Sequence, residues 1–147
     1  MASNTELTPV LVVALGIGFP VVFVAIWSFV CAIIARVSGY RSLAKFRIDP
    51  AAAAEGEALP SPYFATIGPA RYRGRILKLN AGPGGLSLRV LRIFVFHPPI
   101  RLPWERIRED PVGHRIFGRA ILLDERVRLG LPKETFEAIR QTKARFG

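Results

Sequence analysis

From Leu7 to Ala35 the chain carries no charged side chain, and this stretch, LTPVLVVALGIGFPVVFVAIWSFVCAIIA, limits what the rest can become. A bilayer's hydrocarbon core of ~30 Å needs about 20 consecutive apolar residues as a helix, and this run exceeds that. It predicts a transmembrane helix over 9–37 behind a short external tail over 1–8. A cleaved signal peptide is a poor match, because the preceding MASNTELT is acidic and the apolar core is too long. With 147 residues in all, the remainder suffices for one small core.

Charge is distributed unevenly about the apolar run. All 21 Lys and Arg residues lie at or after Arg36, and of the 11 Asp and Glu only Glu6 precedes it. Positive residues flanking a span stay on the cytoplasmic side. The expected topology is therefore an N-terminus outside and a basic domain in the cytoplasm. Arg36 at the end of the span, with Tyr40, Arg41, Lys45 and Arg47 over 38–48, mixes basic and aromatic groups as interfacial anchors do. No Asp, Glu, Lys, Arg or His lies inside the span, which counts against ion transport. Ala14 with Gly18, and Ser28 with Ala32, have small-xxx-small spacing, although lipid-facing small residues give the same pattern. The single cysteine, Cys31, excludes an internal disulfide.

Residues 49–62, DPAAAAEGEALPSP, read as an Ala/Pro linker with little to bury. From Arg71 the pattern turns strand-like. RYRGRILKLN and LSLRVLRIFVF flank AGPGG, which signals a hairpin, with a phase shift near Arg92 suggesting a bulge or bend. A short strand over 100–102 follows His97-Pro98-Pro99. IFGRAILLD and RVRLGL form a further pair, with Val127, Leu129 and Leu131 on one face. Pro132 then opens an amphipathic helix, KETFEAIRQTKARF, whose inner face is expected to carry Phe136, Ile139 and Phe146.

Strands first and one amphipathic helix last resembles the plan of a pleckstrin-homology-like (PH-like) sandwich. Gly85-Leu86-Ser87-Leu88 is similar to the GL-x-L hairpin strand of bacterial PH-like and GRAM-like domains. Ile100-Arg101-Leu102-Pro103-Trp104-Glu105-Arg106-Ile107 is similar to their I-P-W-x-x-I turn. The whole layout resembles a family of single-pass bacterial membrane proteins with such a C-terminal domain and no defined activity. The resemblance implies a mainly-β domain over 63–147 capped by a helix, with Gly85, Pro98, Pro99, Pro103 and Trp104 as structural residues.

No catalytic constellation emerges. Two histidines and one cysteine inside the apolar run cannot supply the three or four ligands of a zinc site, so neither a metal nor a cofactor is expected. The glycine cluster Ala81–Gly85 lacks the Lys-Ser/Thr of a P-loop and precedes a strand, which favours a turn. Ser42, Ser61 and Ser87 have no His/Asp partners, and Glu105, Glu109 and Asp110, interleaved with Arg106 and Arg108, read as a solvated charged turn. His114 reads as a polar turn residue. The distinctive feature is basic. Arg71, Arg73, Arg75 and Lys78 on one strand are expected to face Arg89 and Arg92 across the hairpin. A tethered domain meets anionic headgroups before nucleic acid, at about 1 kcal/mol per basic residue; ordinary positive-inside charge is the competing explanation. The expected function is a non-enzymatic membrane-anchored adaptor binding anionic lipid or another membrane-associated protein. The alternative is an accessory subunit of a larger inner-membrane complex, respiratory or photosynthetic.

Overall fold

The computed structural model describes residues 4–147, with side chains from residue 8 onward. A single helix, α1 (Asn4–Val37), occupies the N-terminal quarter. Its stretch Thr8–Val37 is long and apolar enough to cross a membrane, by length and composition. Of the expected tail, residues 1–3 lie outside the described residues and 4–8 are already helical. The helix runs unbroken through Gly16, Gly18 and Pro20, and a Cβ placed on either glycine would meet nothing within 4 Å. From Val10 to Phe29 its large apolar side chains are exposed, except that Trp27 is partly covered. Only the last third packs on the protein, burying Cys31 and Ala35 completely or nearly so.

Two antiparallel sheets and a closing helix make up the rest. The four-stranded sheet has the order β1-β4-β5-β6, from β1 (Glu57–Ala58), β4 (Leu77–Gly82), β5 (Gly85–Val90) and β6 (Ile100–Leu102). The five-stranded sheet has the order β3-β2-β9-β8-β7. Its members are β2 (Phe64–Ile67), β3 (Ala70–Arg73), β7 (Ile107–Glu109), β8 (Ala120–Leu123) and β9 (Val127–Gly130). α3 (Lys133–Phe146) closes the domain, packing on β4 and β5.

Alternation explains the central hairpin. Leu77, Leu79 and Ala81 pair with Val90, Leu88 and Leu86, all six at most 4% exposed, so one face of β4–β5 is entirely core. The same register puts Lys78 opposite Arg89 and Asn80 opposite Ser87 on the other face. Pro83 and Gly84 form the two-residue turn. Gly85 then adopts φ 123°, where a Cβ would stand 2.0 Å from the Leu102 carbonyl oxygen, so only glycine allows β6 to pair here. Trp104 is 3% exposed, and its indole N–H donates to Gly82 O at 2.9 Å, tying the turn after β6 back to this hairpin.

Several expectations give way to tertiary contacts. The stretch 71–80 is not one strand: Gly74, Arg75 and Ile76 divide it, sending β3 to the five-stranded sheet and β4 to the other. Arg75 sits at φ 58° in that turn. The run LSLRVLRIFVF stops being a strand at Val90, and residues 91–99 form a loop in place of a bulged strand. Residues 49–62, expected as a linker, are built into the domain. Asp49 caps the short helix α2 (Pro50–Ala53), β1 pairs with β4, and Ala53 and Leu59 are buried. Tyr40 is no headgroup anchor either. It begins a 3-10 helix, Tyr40–Phe46, that inserts Tyr40 and Leu43 fully into the core. Phe146 is 38% exposed, and Thr135 and Thr142 accompany Phe136 and Ile139 on the inner face of α3.

Candidate anion-binding groove beside the apolar helix

The loop joining β5 to β6 is strapped to the end of α1. The Trp27 indole N–H donates to Ile93 O at 2.8 Å, and the Trp27 and Phe94 rings lie 5.8 Å apart. The Tyr40 hydroxyl donates to Pro98 O at 2.7 Å, and Ile48 N–H donates to Pro99 O at 3.0 Å. Each proline lacks an N–H but keeps a carbonyl that accepts, and the Pro99 bond belongs to an antiparallel bridge between Arg47 and Ile100.

His97 is the hub of the strap. Its Nδ1 lies 3.2 Å from Val95 O, a group that only accepts, so the proton is on Nδ1 and Nε2 accepts from the Tyr72 hydroxyl at 3.0 Å. The Tyr40 ring lies tilted against it, with centroids 4.9 Å apart. Burial lowers the His97 pKa and raises those of Tyr40 and Tyr72, so all three are neutral near pH 7. The histidine is thus committed to two internal hydrogen bonds. Among the described residues no group of three or more His, Cys, Asp or Glu converges as a metal would need.

Between the strap, the helix and the outer face of β4–β5 lies an open groove of about 900 Å³. Ala32, Ala35, Phe94 and Val95 supply apolar wall, and Arg41, Arg47, Lys78, Arg89 and Arg92 supply five cations. No carboxylate lines it. None of the five has an ion pair or side-chain hydrogen bond among the described residues, and Arg89 Nε is buried without a partner. Lys78 and Arg89 are moreover direct cross-strand neighbours, an arrangement that repels.

The basic residues expected to act together therefore separate into two groups, with Arg75 exposed in the turn between β3 and β4. Lys78, Arg89 and Arg92 meet in the groove with Arg41 and Arg47. Arg71 and Arg73 lie exposed on β3 of the other sheet, where Arg73 stacks over Phe64 at 5.2 Å. Among the expected anchors, Arg36 is exposed at the end of α1, and Lys45 is held by Asp124 at 2.5 Å. Pro103 precedes the 3-10 turn that carries Trp104.

The charged turn around Asp110 also differs from expectation. The Asp110 side chain is 2% exposed, and it is paired with Arg128; Arg106 pairs with Asp124 and Arg108 with Glu125. His114 is tied down as well, with Nε2 at 2.9 Å from the Thr66 hydroxyl and Nδ1 accepting from Ile116 N–H.

The strapping role of His97 and the groove-lining role of the loop were not visible in the sequence. The available signal was the loss of alternation after Val90, where Arg92-Ile93-Phe94-Val95-Phe96 is apolar on both parities. Comparison with family models, with curated proteins and with solved structures gave no match to this chain.

Proposed function

We propose that this chain is a non-enzymatic, membrane-anchored adaptor. In this reading α1 crosses a bacterial inner membrane once, with its N-terminus outside. A PH-like β-domain then lies against the cytoplasmic leaflet and takes the headgroup of an anionic phospholipid into the groove. The observation that carries the reading is the groove's five cations, which have no internal counter-charge and share a wall with the apolar helix.

Length supports the geometry. Thr8–Val37 would be about 45 Å long as a helix, whereas the hydrocarbon core needs about 30 Å. The surplus of about 15 Å, residues 28–37, includes Cys31 and Ala35, which the domain buries. The groove thereby falls at headgroup level, where each cation near an anionic surface is worth about 1 kcal/mol. An isolated carboxylate partner would neutralise that attraction, and none lines the groove.

The test is to purify the full chain from membranes in mild detergent and count retained lipids by native mass spectrometry. Retention of anionic over zwitterionic phospholipid is expected, falling about tenfold or more in a Lys78→Glu, Arg89→Glu variant. Arg71→Glu with Arg73→Glu should leave retention unchanged. Equal loss in both variants would reduce the effect to bulk charge and remove the groove. A stoichiometric membrane-protein partner in place of lipid would favour the accessory-subunit reading.

A further inference from the structure

The loop that rims the groove displays apolar side chains outward. Leu91, Ile93, Val95 and Phe96 are 44%, 61%, 40% and 60% exposed, four of them within six consecutive positions. Phe96 also sits at φ 67°, in the left-handed region that a bulky side chain avoids. A large aromatic that is both strained and exposed has two penalties in water. Its neighbours inside the loop are fully used: Phe94 packs on Trp27 and Tyr72, and His97 makes the two bonds described above. From Arg89 to Trp104 the chain has no acid, so nothing there repels an anionic surface.

Position decides what meets this loop. Thr8 to Trp27 already provides about the 20 residues that cross the hydrocarbon, which places Trp27 at the boundary where indoles concentrate. The loop is bonded to that indole through Ile93 O, so it lies at the same depth. Through that bond and the Phe94 ring it stands beside α1, whose own large apolar side chains are exposed.

We infer that the 91–96 loop is a second membrane contact, a wedge whose Leu91, Ile93, Val95 and Phe96 side chains enter the acyl-chain boundary of the leaflet next to Trp27. Arg92 reaches back to the headgroups, as amphipathic side chains at interfaces do. Helix and wedge together hold the domain in one orientation, with the groove mouth facing the lipid. The inference rests on α1 spanning the bilayer, but not on which headgroup fills the groove.

The wild-type full chain can test it without substitution. It is reconstituted in purely zwitterionic phosphatidylcholine bilayers carrying a photoactivatable diazirine on the acyl chain, irradiated and digested with trypsin. Acyl adducts are expected on peptide 93–101, IFVFHPPIR, severalfold above peptide 109–115, EDPVGHR, whose Val112 is 81% exposed on another loop. Adduct yields no higher on 93–101 than on 109–115 would overturn the wedge. So would loss of acyl labelling on 93–101 as the protein-to-lipid ratio is raised, which would mean that a second copy of this chain covers the loop in place of lipid. Because no anionic lipid is present, a labelled loop does not depend on groove occupancy. Conversely, unchanged anionic retention in the charge-reversal variant while the loop stays labelled would remove the groove and leave the wedge standing alone.

Discussion

The two sheets share one core, but the β7–β9 end of one and the outer face of the β4–β5 hairpin in the other treat their cations in opposite ways. At the β7–β9 end of the five-stranded sheet, four cations are balanced internally. Asp124 holds Lys45 at 2.5 Å and Arg106 at 3.3 Å, Glu125 holds Arg108 at 3.1 Å, and Asp110, almost wholly buried, takes Arg128. On the outer face of the four-stranded sheet, Lys78 and Arg89 oppose each other, and three more arginines join them with no acid in the lining. An internally balanced cation contributes to folding and little to attraction at a distance. An unbalanced group costs some stability in water but creates a positive potential available to an external anion. The sheet beside the apolar helix has the second arrangement, which is where a binding surface is useful.

The comparison can be broken at several strengths. The largest effect concerns the shared core. Trp104→Ala should destabilise the domain by about 3–5 kcal/mol and lower both sheets' stability in one transition. Hydrogen exchange in detergent would show two separate transitions if the sheets were independent bodies, and the contrast between them would then lose its common frame.

Next comes the internally balanced side. Lys45, first of all, and then Arg106 hold the Asp124 carboxyl below the usual carboxylate range. Its ionised form therefore contributes stability above the unfolded pKa of about 3.9, and that contribution is lost as pH falls through and below that value. Asp124→Asn should cost about 1–3 kcal/mol at pH 7 and flatten the acid limb of thermal stability. An unchanged acid limb would mean that the pairing contributes nothing.

His97 gives a second pH window, with the strap as its readout. Its folded pKa lies below the ordinary value of about 6.5, so the unfolded chain takes up a proton first as pH falls. Stability should decline from about pH 6.5 downward until the folded histidine itself protonates. Fluorescence of Trp27, followed in a Trp104→Phe background, should report the loosening of Ile93 and Phe94 from the indole. His97→Gln should abolish this Trp27 response, whereas the contribution of His114, whose pKa burial also lowers, stays in the overall stability.

The smallest effect is the sharpest in sign. Replacing Lys78 and Arg89 by Met should stabilise the detergent-solubilised protein by about 0.2–1 kcal/mol, because a repulsive cross-strand pair disappears. Arg128→Met should do the reverse by leaving Asp110 buried without its partner. Chemical denaturation of the two variants side by side would contradict the comparison if both moved the same way.

Elements with a strong local period were legible before folding. The limits of α3, the Gly85 turn, β6 and the β8–β9 pair follow from alternation, from a 3.6-residue period, or from a conformation that only glycine adopts. β1 is two residues long and has no period to read, so residues 49–62 resembled a linker until β4 supplied a partner. Tyr40 illustrates the same limit. Beside Arg36 and Arg41 it has an anchor's composition, and only the carbonyl of Pro98, 58 positions away, gives its hydroxyl a buried partner.

For the candidate groove, composition showed an excess of cations, whereas grouping them required the fold. Arg71, Arg73 and Lys78 are near neighbours in sequence, yet the turn at Gly74–Ile76 assigns them to different sheets. Arg41 and Arg47 join Lys78, Arg89 and Arg92 only because the 3-10 helix folds back onto β6.

By itself the sequence determined an uncharged helix of membrane-crossing length, a basic remainder, and a mainly-β domain closed by an amphipathic helix. All of these are set by local periodicity and by charge counted along the chain. Only tertiary structure decided which arginines find a carboxylate and which do not, and that the 91–96 run leaves the sheet to lie against Trp27. Those outcomes depend on pairings between residues tens of positions apart, for which no local pattern exists.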